Sequence, residues 1–370
     1  MAAERRPCLC DVPKKTPQTP LSAIFSSAAH WLRWLCAPVW LLALATEAKS
    51  FKDNPILGSR RLNRAGLHIG RVRLAQCMAD RRRKRLAHLL NDQDRQDFDR
   101  NGFILKSDFL PAATFALVER ELTQCNGQVR AMEQGDAITR RMSLDAGTLK
   151  RMPATRQLLQ GKQWLGLLSY VGSFRCHPMT YLQTIRARAG QGRADPQLQL
   201  HSDTFHPTVK AWLFLSDVGV EDGPFTYVPG SHRVNRRRLA WLRRQSIDAR
   251  RLDRLSARGS LRVSRAALRR MGYPEPQAFA VKKNTLVVAD TSGFHARGES
   301  RQASTRIEIW GYGRRNPFLP WTGWDIQGLP GVKGRTVPLY WRARDIGEAL
   351  GLRRNPWRRV PSDKAGHESQ

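Results

Sequence analysis

At 370 residues the chain is long enough to bury a large core. An apolar content of 41 % with aromatics throughout excludes a disordered polymer, and six cysteines without a C-x-x-C pair exclude a disulfide scaffold or zinc ribbon; they read as reduced, intracellular thiols. The net charge of +32, from 63 Lys and Arg against 31 Asp and Glu, attracts polyanions such as nucleic acid, anionic lipid or phosphorylated carriers without choosing among them.

Residues 1–90 read as a basic N-terminal extension. Within it, residues 21–47, LSAIFSSAAHWLRWLCAPVWLLALATE, are more apolar than anything around them. The stretch starts too late and lacks a small-x-small site, so it does not fit a secretory signal. Arg33 and Pro38 interrupt it before it reaches the ~20 apolar residues of a spanning helix. Two readings remain. One is a peripheral membrane contact, with residues 71–85 and their seven bases to one acid on an anionic cytoplasmic surface; the other is a helix packed on the main domain. The expected location is cytoplasmic, membrane-associated under the first reading.

From residue 91 the pattern is that of a compact domain, expected to run to residue 317. NDQDRQDFDRNGF reads as a helix ending near Gly102, FILKSDFLP as a short strand, and Pro111 opens a helix with Phe115, Val118 and Leu122 on one face. Beyond Pro178 the segments MTYLQTIRAR, LQLHSDTF, VKAWLFLSDV, PFTYVPGSH, TLVVADTSGFHAR and TRIEIWGYGR read as strands separated by Gly, Pro and Asp turns. Residues 236–270 form a basic helical insertion among them; residues 233–270 hold fourteen Arg, with Asp248 and Asp253 the only acids. Helices ahead of strands imply a mainly β core with flanking helices, a sandwich or jelly roll and not an alternating βαβ sheet. No internal repeat, glycine-rich phosphate loop, G-x-S-x-G elbow or nucleic-acid-binding motif is present. Residues 318–370 lack periodicity and are expected to form an irregular tail, either wrapping the barrel mouth or packing beside it.

The chemistry-bearing pattern is His201-x-Asp203. On a strand, residues i and i+2 share a face and can converge on one ion, and a His with a carboxylate is two-thirds of the 2-His-1-carboxylate set that holds Fe(II) with open positions. His201 is the only one of nine histidines followed by an acid at i+2. The structural alternative is a buried His hydrogen-bonded to a nearby Asp. His295, at the end of another strand, is the candidate third ligand. Arg306, eleven residues on, starts an alternating strand with Glu308 and Trp310 on its face and Ile307, Ile309 and Gly311 on the other. Its guanidinium suits the distal carboxylate of a dicarboxylate cosubstrate; the alternative is one surface arginine among many. Phe205 and His206 are the first substrate-facing candidates, with packing and a local hydrogen bond as alternatives. His232 sits in the PGSH turn and reads as a local hydrogen-bonding residue, not a ligand.

In order, His201-x-Asp203, AWLFLSDV with Trp212, EDGPFTYVPGSH, His295 and Arg306, preceded by RNGFILKSDFLP, resemble the phytanoyl-CoA dioxygenase family of Fe(II)/2-oxoglutarate-dependent oxygenases over about residues 91–317. The resemblance implies a double-stranded β-helix (jelly roll, cupin-like) fold, iron ligands His201, Asp203 and His295, and Arg306 as the anchor of 2-oxoglutarate. Gln183 and Trp212 resemble family positions near the cosubstrate. It further implies that 2-oxoglutarate and O₂ are consumed to give succinate, CO₂ and a hydroxylated product; the carboxylate at Asp203 speaks for hydroxylation over halogenation. The insertion could cover the barrel mouth as a lid, and its arginines favour an anionic substrate or carrier. With residues 21–47, this points to a small or lipid-like substrate. The alternatives are a nucleic-acid-associated basic protein and an inactive jelly-roll binding module, the latter weakened by the intact ligand set.

Overall fold

The computed structural model describes residues 37–188, 195–324 and 326–361. Residues 21–36 of the apolar segment and 362–370 of the tail therefore lie outside the described residues. The chain divides into two units, Met1–Ala43 and Leu44–Gln370. Of the first, the described part holds one helix, Ala37–Leu42. Among the described residues no helix is long and apolar enough to cross a membrane.

The second unit is built on eleven strands: β1 Phe103–Lys106, β2 Val129–Gln134, β3 Ala137–Ser143, β4 Met179–Arg188, β5 Val209–Phe214, β6 Phe225–Tyr227, β7 Gln277–Ala278, β8 Leu286–Asp290, β9 His295–Arg297, β10 Ala303–Gly313 and β11 Arg358–Val360. They form an eight-stranded antiparallel sheet, β1-β8-β5-β10-β4-β3-β2-β11, and a three-stranded one, β7-β6-β9. Two facing antiparallel sheets with flanking helices make a jelly roll.

The period-2 pattern of β10 explains the layering. Ile309 and the partly buried Ile307 join Leu182, Leu213 and Val288 in a core against helices Ala112–Gln124, Pro153–Gln160 and Lys162–Gly172. Trp310 faces the other way, with Tyr181, Trp212 and Val287, against Phe225 and Tyr227 of the smaller sheet. Alternation thus sends aliphatic side chains to the helices and aromatic and charged ones into the barrel.

The helix Asp92–Asn101 begins where Asn91 accepts a hydrogen bond from Asp94 N–H and ends at Gly102, with φ 85°. A Cβ there would lie 2.4 Å from His232 Nδ1, so only glycine fits. The insertion is helical as expected, over Arg236–Ile247 and Arg265–Met271. LQLHSDTF is not a regular strand: His201 makes isolated bridges to Arg262 and His295. The hairpin β2–β3, with Gly135 at φ 63°, and the helices of residues 153–172 carry no expectation above and complete the larger sheet and its helical layer.

Two other expectations change. The basic extension is continuous with the domain: Phe51, Leu57, Ile69 and Val72 share one core with Phe205, Leu242 and Leu261. In its helix Leu67–Leu86, Arg71, Arg82 and Arg83 are buried and bond backbone carbonyls. Arg82 and Arg83 bond the carbonyls of Tyr170, Val171 and Ser173 at the C-terminal end of helix Lys162–Gly172. These three bases are consumed inside the fold, while Arg73, Arg81, Lys84 and Arg85 remain exposed. The tail is not irregular either. Residues Thr336–Ala349 form a helix and β11 pairs with β2. Pro338 sits in the helix's first turn, where its missing N–H is harmless. Val337 and Trp341 enter the aromatic core, and Arg130 holds Asp345 through two hydrogen bonds of 2.7 and 2.6 Å.

Trp341→Ala is therefore expected to lower unfolding free energy by about 3–5 kcal/mol in urea denaturation; a loss below about 1 kcal/mol would mean that the helix does not close the core.

Candidate metal centre

Strand β8 ends at Asp290, whose carboxylate organises the turn that follows. Oδ1 accepts from Thr208 N–H (3.2 Å), Ser292 N–H (3.0 Å) and Ser292 Oγ (2.7 Å), and Oδ2 from Arg83 Nη2 (3.0 Å). That turn delivers His295 to β9. His201 and His295 then exchange backbone hydrogen bonds of 2.9 Å in both directions, and Asp203 N–H donates to Thr291 O at 2.9 Å. Three side chains from two distant segments are thereby set around one point.

His201 Nδ1 lies 2.7 Å from Gln199 O, and His295 Nδ1 lies 3.0 Å from Gly293 O. A carbonyl can only accept, so both Nδ1 atoms carry the proton and both Nε2 atoms present a lone pair. His201 Nε2 is 3.7 Å from Asp203 Oδ1, His295 Nε2 is 3.7 Å from Asp203 Oδ2, and all three ligand atoms lie within 4.8 Å of one another. No other group of three such side chains occurs among the described residues. Burial, helped by His295, pushes the His201 imidazole down to about 3, and burial lowers His295 as well, so both rings are neutral donors. Burial alone would raise Asp203, but Lys210, then His295 and His201, hold it well below the usual carboxylate range.

This donor set fits a metal ion. His295 Nε2 is buried without a hydrogen bond, and the ammonium of Lys210, 2.7 Å from Asp203 Oδ2, brings positive charge to the same spot. Two imidazoles and one carboxylate without a thiolate suit non-haem Fe(II). Lys49 adds a second ammonium by donating to the backbone carbonyl of Asp203, and burial pushes it down to about 8 against the pull of Asp203.

The remaining candidates divide. Arg306 is buried on the inner face, with Nε 2.9 Å from Glu308 Oε2 and Nη1 donating to Gly223 O at 2.9 Å. Gly223 is at φ 66°, and a Cβ would approach Ser300 Oγ to 2.4 Å. Gln183, opposite Glu308 in the β4–β10 register, donates to Glu308 Oε1 at 2.5 Å. Trp212 packs against Phe225 in a tilted arrangement, centroids 4.3 Å apart. Phe205 joins the core shared with the N-terminal helices, under the guanidinium of Arg71 at 4.4 Å, and also lines a cavity with Lys49, His68 and Ser202. His206 is wholly buried beside it, with Nδ1 3.0 Å from Pro207 O. His232 lies against Phe98, outside the cluster. Lys49 and Lys210 are absent from the sequence-based candidates. The inward parity of β5, which Lys210 shares with Trp212, could have found it; nothing local marks Lys49.

Residues 98–265 match the family model described as phytanoyl-CoA dioxygenase, a span that contains His201 and Asp203. The match covers less than half of the 370 residues. His295 and Arg306 lie beyond the matched span. Among solved structures the chain is similar to the non-haem α-ketoglutarate-dependent epimerase SnoN from nogalamycin biosynthesis, at 19 % identity over 65 % of this chain and 92 % of that one, TM-score 0.39. It is also similar to HygX from Streptomyces hygroscopicus with iron bound (18 %, 66 % and 94 %, 0.39) and to EctD from S. alaskensis with bound Fe (15 %, 61 % and 77 %, 0.36). No curated protein matches the chain. The family match supports a dioxygenase-type function for the domain.

Asp203→Ala and His295→Ala are each expected to weaken Co(II) binding in calorimetry by more than roughly 100-fold, beyond what losing a supporting partner does. His232→Ala should leave it unchanged.

Proposed function

We propose that the chain is an Fe(II)- and 2-oxoglutarate-dependent dioxygenase that hydroxylates a C–H bond of a small or lipid-like substrate. The observation that carries this reading is the convergence of His201 Nε2, His295 Nε2 and the Asp203 carboxylate within 4.8 Å, with Arg306 buried on the inner face of the same barrel.

His201, Asp203 and His295 would hold the iron. When bound, the metal supplies the O₂ chemistry that couples oxidative decarboxylation of 2-oxoglutarate to substrate oxidation. The chain's own part is to bind, orient and exclude water. The Nδ1 contacts of the two histidines to Gln199 O and Gly293 O prevent the rings from turning. Arg306 offers a planar fork to the distal carboxylate of the cosubstrate. Gln183 and Trp212, on the same inner face, line its course, and the aromatic cluster of Trp212, Trp310, Phe225 and Tyr181 keeps that cavity dry.

Two features support a substrate with an anionic group. Arg262 of the insertion is bridged to His201, and Ser202 N–H donates to Leu261 O at 3.0 Å, so the insertion flanks the ligands. Next to the insertion, Lys49 donates to the backbone carbonyl of Asp203. Two cations at the approach attract an anion and repel a cation.

Protein purified without oxygen and supplied with Fe(II), 2-oxoglutarate and O₂ is expected to form succinate, with the Asp203→Ala variant at background. Equal succinate from both proteins, or none from the wild type across lipid and acyl-carrier candidates, would remove the dioxygenase reading.

A further inference from the structure

The charges on the inner face around Arg306 do not leave a cation for a carboxylate unless Arg141 is counted. Arg306 is already paired: Glu308, wholly buried, lies 2.9 Å from its Nε. The other oxygen of Glu308 accepts from Gln183 Nε2, and Gln183 Oε1 accepts from Arg141 Nε at 2.7 Å. Arg141, Gln183 and Glu308 are direct neighbours across β3, β4 and β10, so the chain of contacts is fixed by sheet register. The next arginine on this ladder, Arg130 of β2, is neutralised by Asp345.

Arg141 is different. It makes no ion pair among the described residues, and its guanidinium lies over Trp310 at 4.0 Å and Trp357 at 4.7 Å. Arg306 and Glu308 cancel, and the linked set of Arg306, Glu308 and Arg141 carries one net positive charge. A buried carboxylate brought beside a neutral pair meets attraction and repulsion of similar size; beside a set of charge +1 it is held.

We propose that Arg141 is a positioning residue of the cosubstrate pocket: through Gln183 and Glu308 it leaves Arg306 with the positive charge that the distal carboxylate of 2-oxoglutarate requires. The inference rests on the 2-oxoglutarate reading above. It also gives Glu308 a purpose, since one carboxylate fixes both the guanidinium of Arg306 and the amide of Gln183.

The test uses full-length, Zn(II)-loaded protein, which does not turn over, with 2-oxoglutarate and pyruvate as calorimetric probes; pyruvate is a 2-oxo acid without the distal carboxylate. Arg141→Gln is expected to weaken 2-oxoglutarate about tenfold while leaving pyruvate unchanged. The double variant Arg141→Gln/Glu308→Gln returns the set to one positive charge and is expected to recover 2-oxoglutarate affinity to within about threefold of wild type. Three results would overturn the proposal: unchanged 2-oxoglutarate affinity in Arg141→Gln, an equal loss for both probes, which marks a structural role, or no recovery in the double variant. A wild type that binds neither probe instead sinks the cosubstrate reading itself, and this inference with it.

Discussion

The reciprocal backbone pairing of His201 with His295 is the constraint on which the site depends. Ninety-four positions apart in sequence, the two residues exchange N–H···O bonds of 2.9 Å, and this brings their rings to a centroid separation of 4.6 Å. Everything nearby serves to hold that bridge. Asp290 fixes the turn before His295, Arg83 from the N-terminal helix fixes Asp290, and Tyr227 Oη donates to Asp290 O at 2.8 Å. Removing a partner from such a buried chain leaves unpaired polar groups, which is far more damaging than the net worth of any one bond.

The same structure changes the meaning of the net charge. A basic block is normally a solvated face or a polyanion site, yet Arg71 donates to Leu44, Thr46 and Ala48 carbonyls, and Arg82 to Ser173, Pro317 and Leu319 carbonyls. Arg238 likewise donates to Ser231 and Ser292 carbonyls beneath the insertion. Five donors on a planar fork let one arginine satisfy several carbonyls in irregular chain, a task that a lysine performs poorly. Part of the positive charge is thus internal carpentry for segments without regular structure, and it says nothing about a partner.

What was legible in the sequence follows from locality. The alternation of Arg306, Glu308 and Trp310 with Ile307 and Ile309 is a local period, and it correctly separates the barrel interior from the helix-facing side. His201 and Asp203 were legible as a pair, although the strand that was to align them is only a bridge; a loop pinned at both ends achieves the same convergence. The hairpin β2–β3 was hidden because its charged residues, Arg130, Arg140 and Arg141, take partners from distant chain: Asp345 of the C-terminal helix, the Pro361 carbonyl and Gln183 of β4. That helix was hidden in turn because just Val337 and Trp341 of it are buried, too few for a readable stripe. Tertiary pairing, not local propensity, decides both elements.

The elements that complete the site also divide its labour. The inner face of the large sheet carries Arg306, Glu308, Gln183 and Trp212, whereas the flanks of the His201, Asp203 and His295 cluster come from other segments. Residues 44–51 are bound by Arg71, and Lys49 projects from them to Asp203; residues 257–262 receive the N–H groups of Phe51, Lys52 and Ser202 through Ala257 and Leu261. The extension and the insertion therefore form one continuous wall beside the ligands. Residues 44–51 precede the family match altogether, and the insertion occupies its end. This wall meets the segment of His201 and Asp203 through the bond from Ser202 N–H to Leu261 O and through the Lys49 ammonium on the Asp203 carbonyl. The bridge between His201 and His295 thus belongs to the barrel, and the wall beside it to the extension and the insertion.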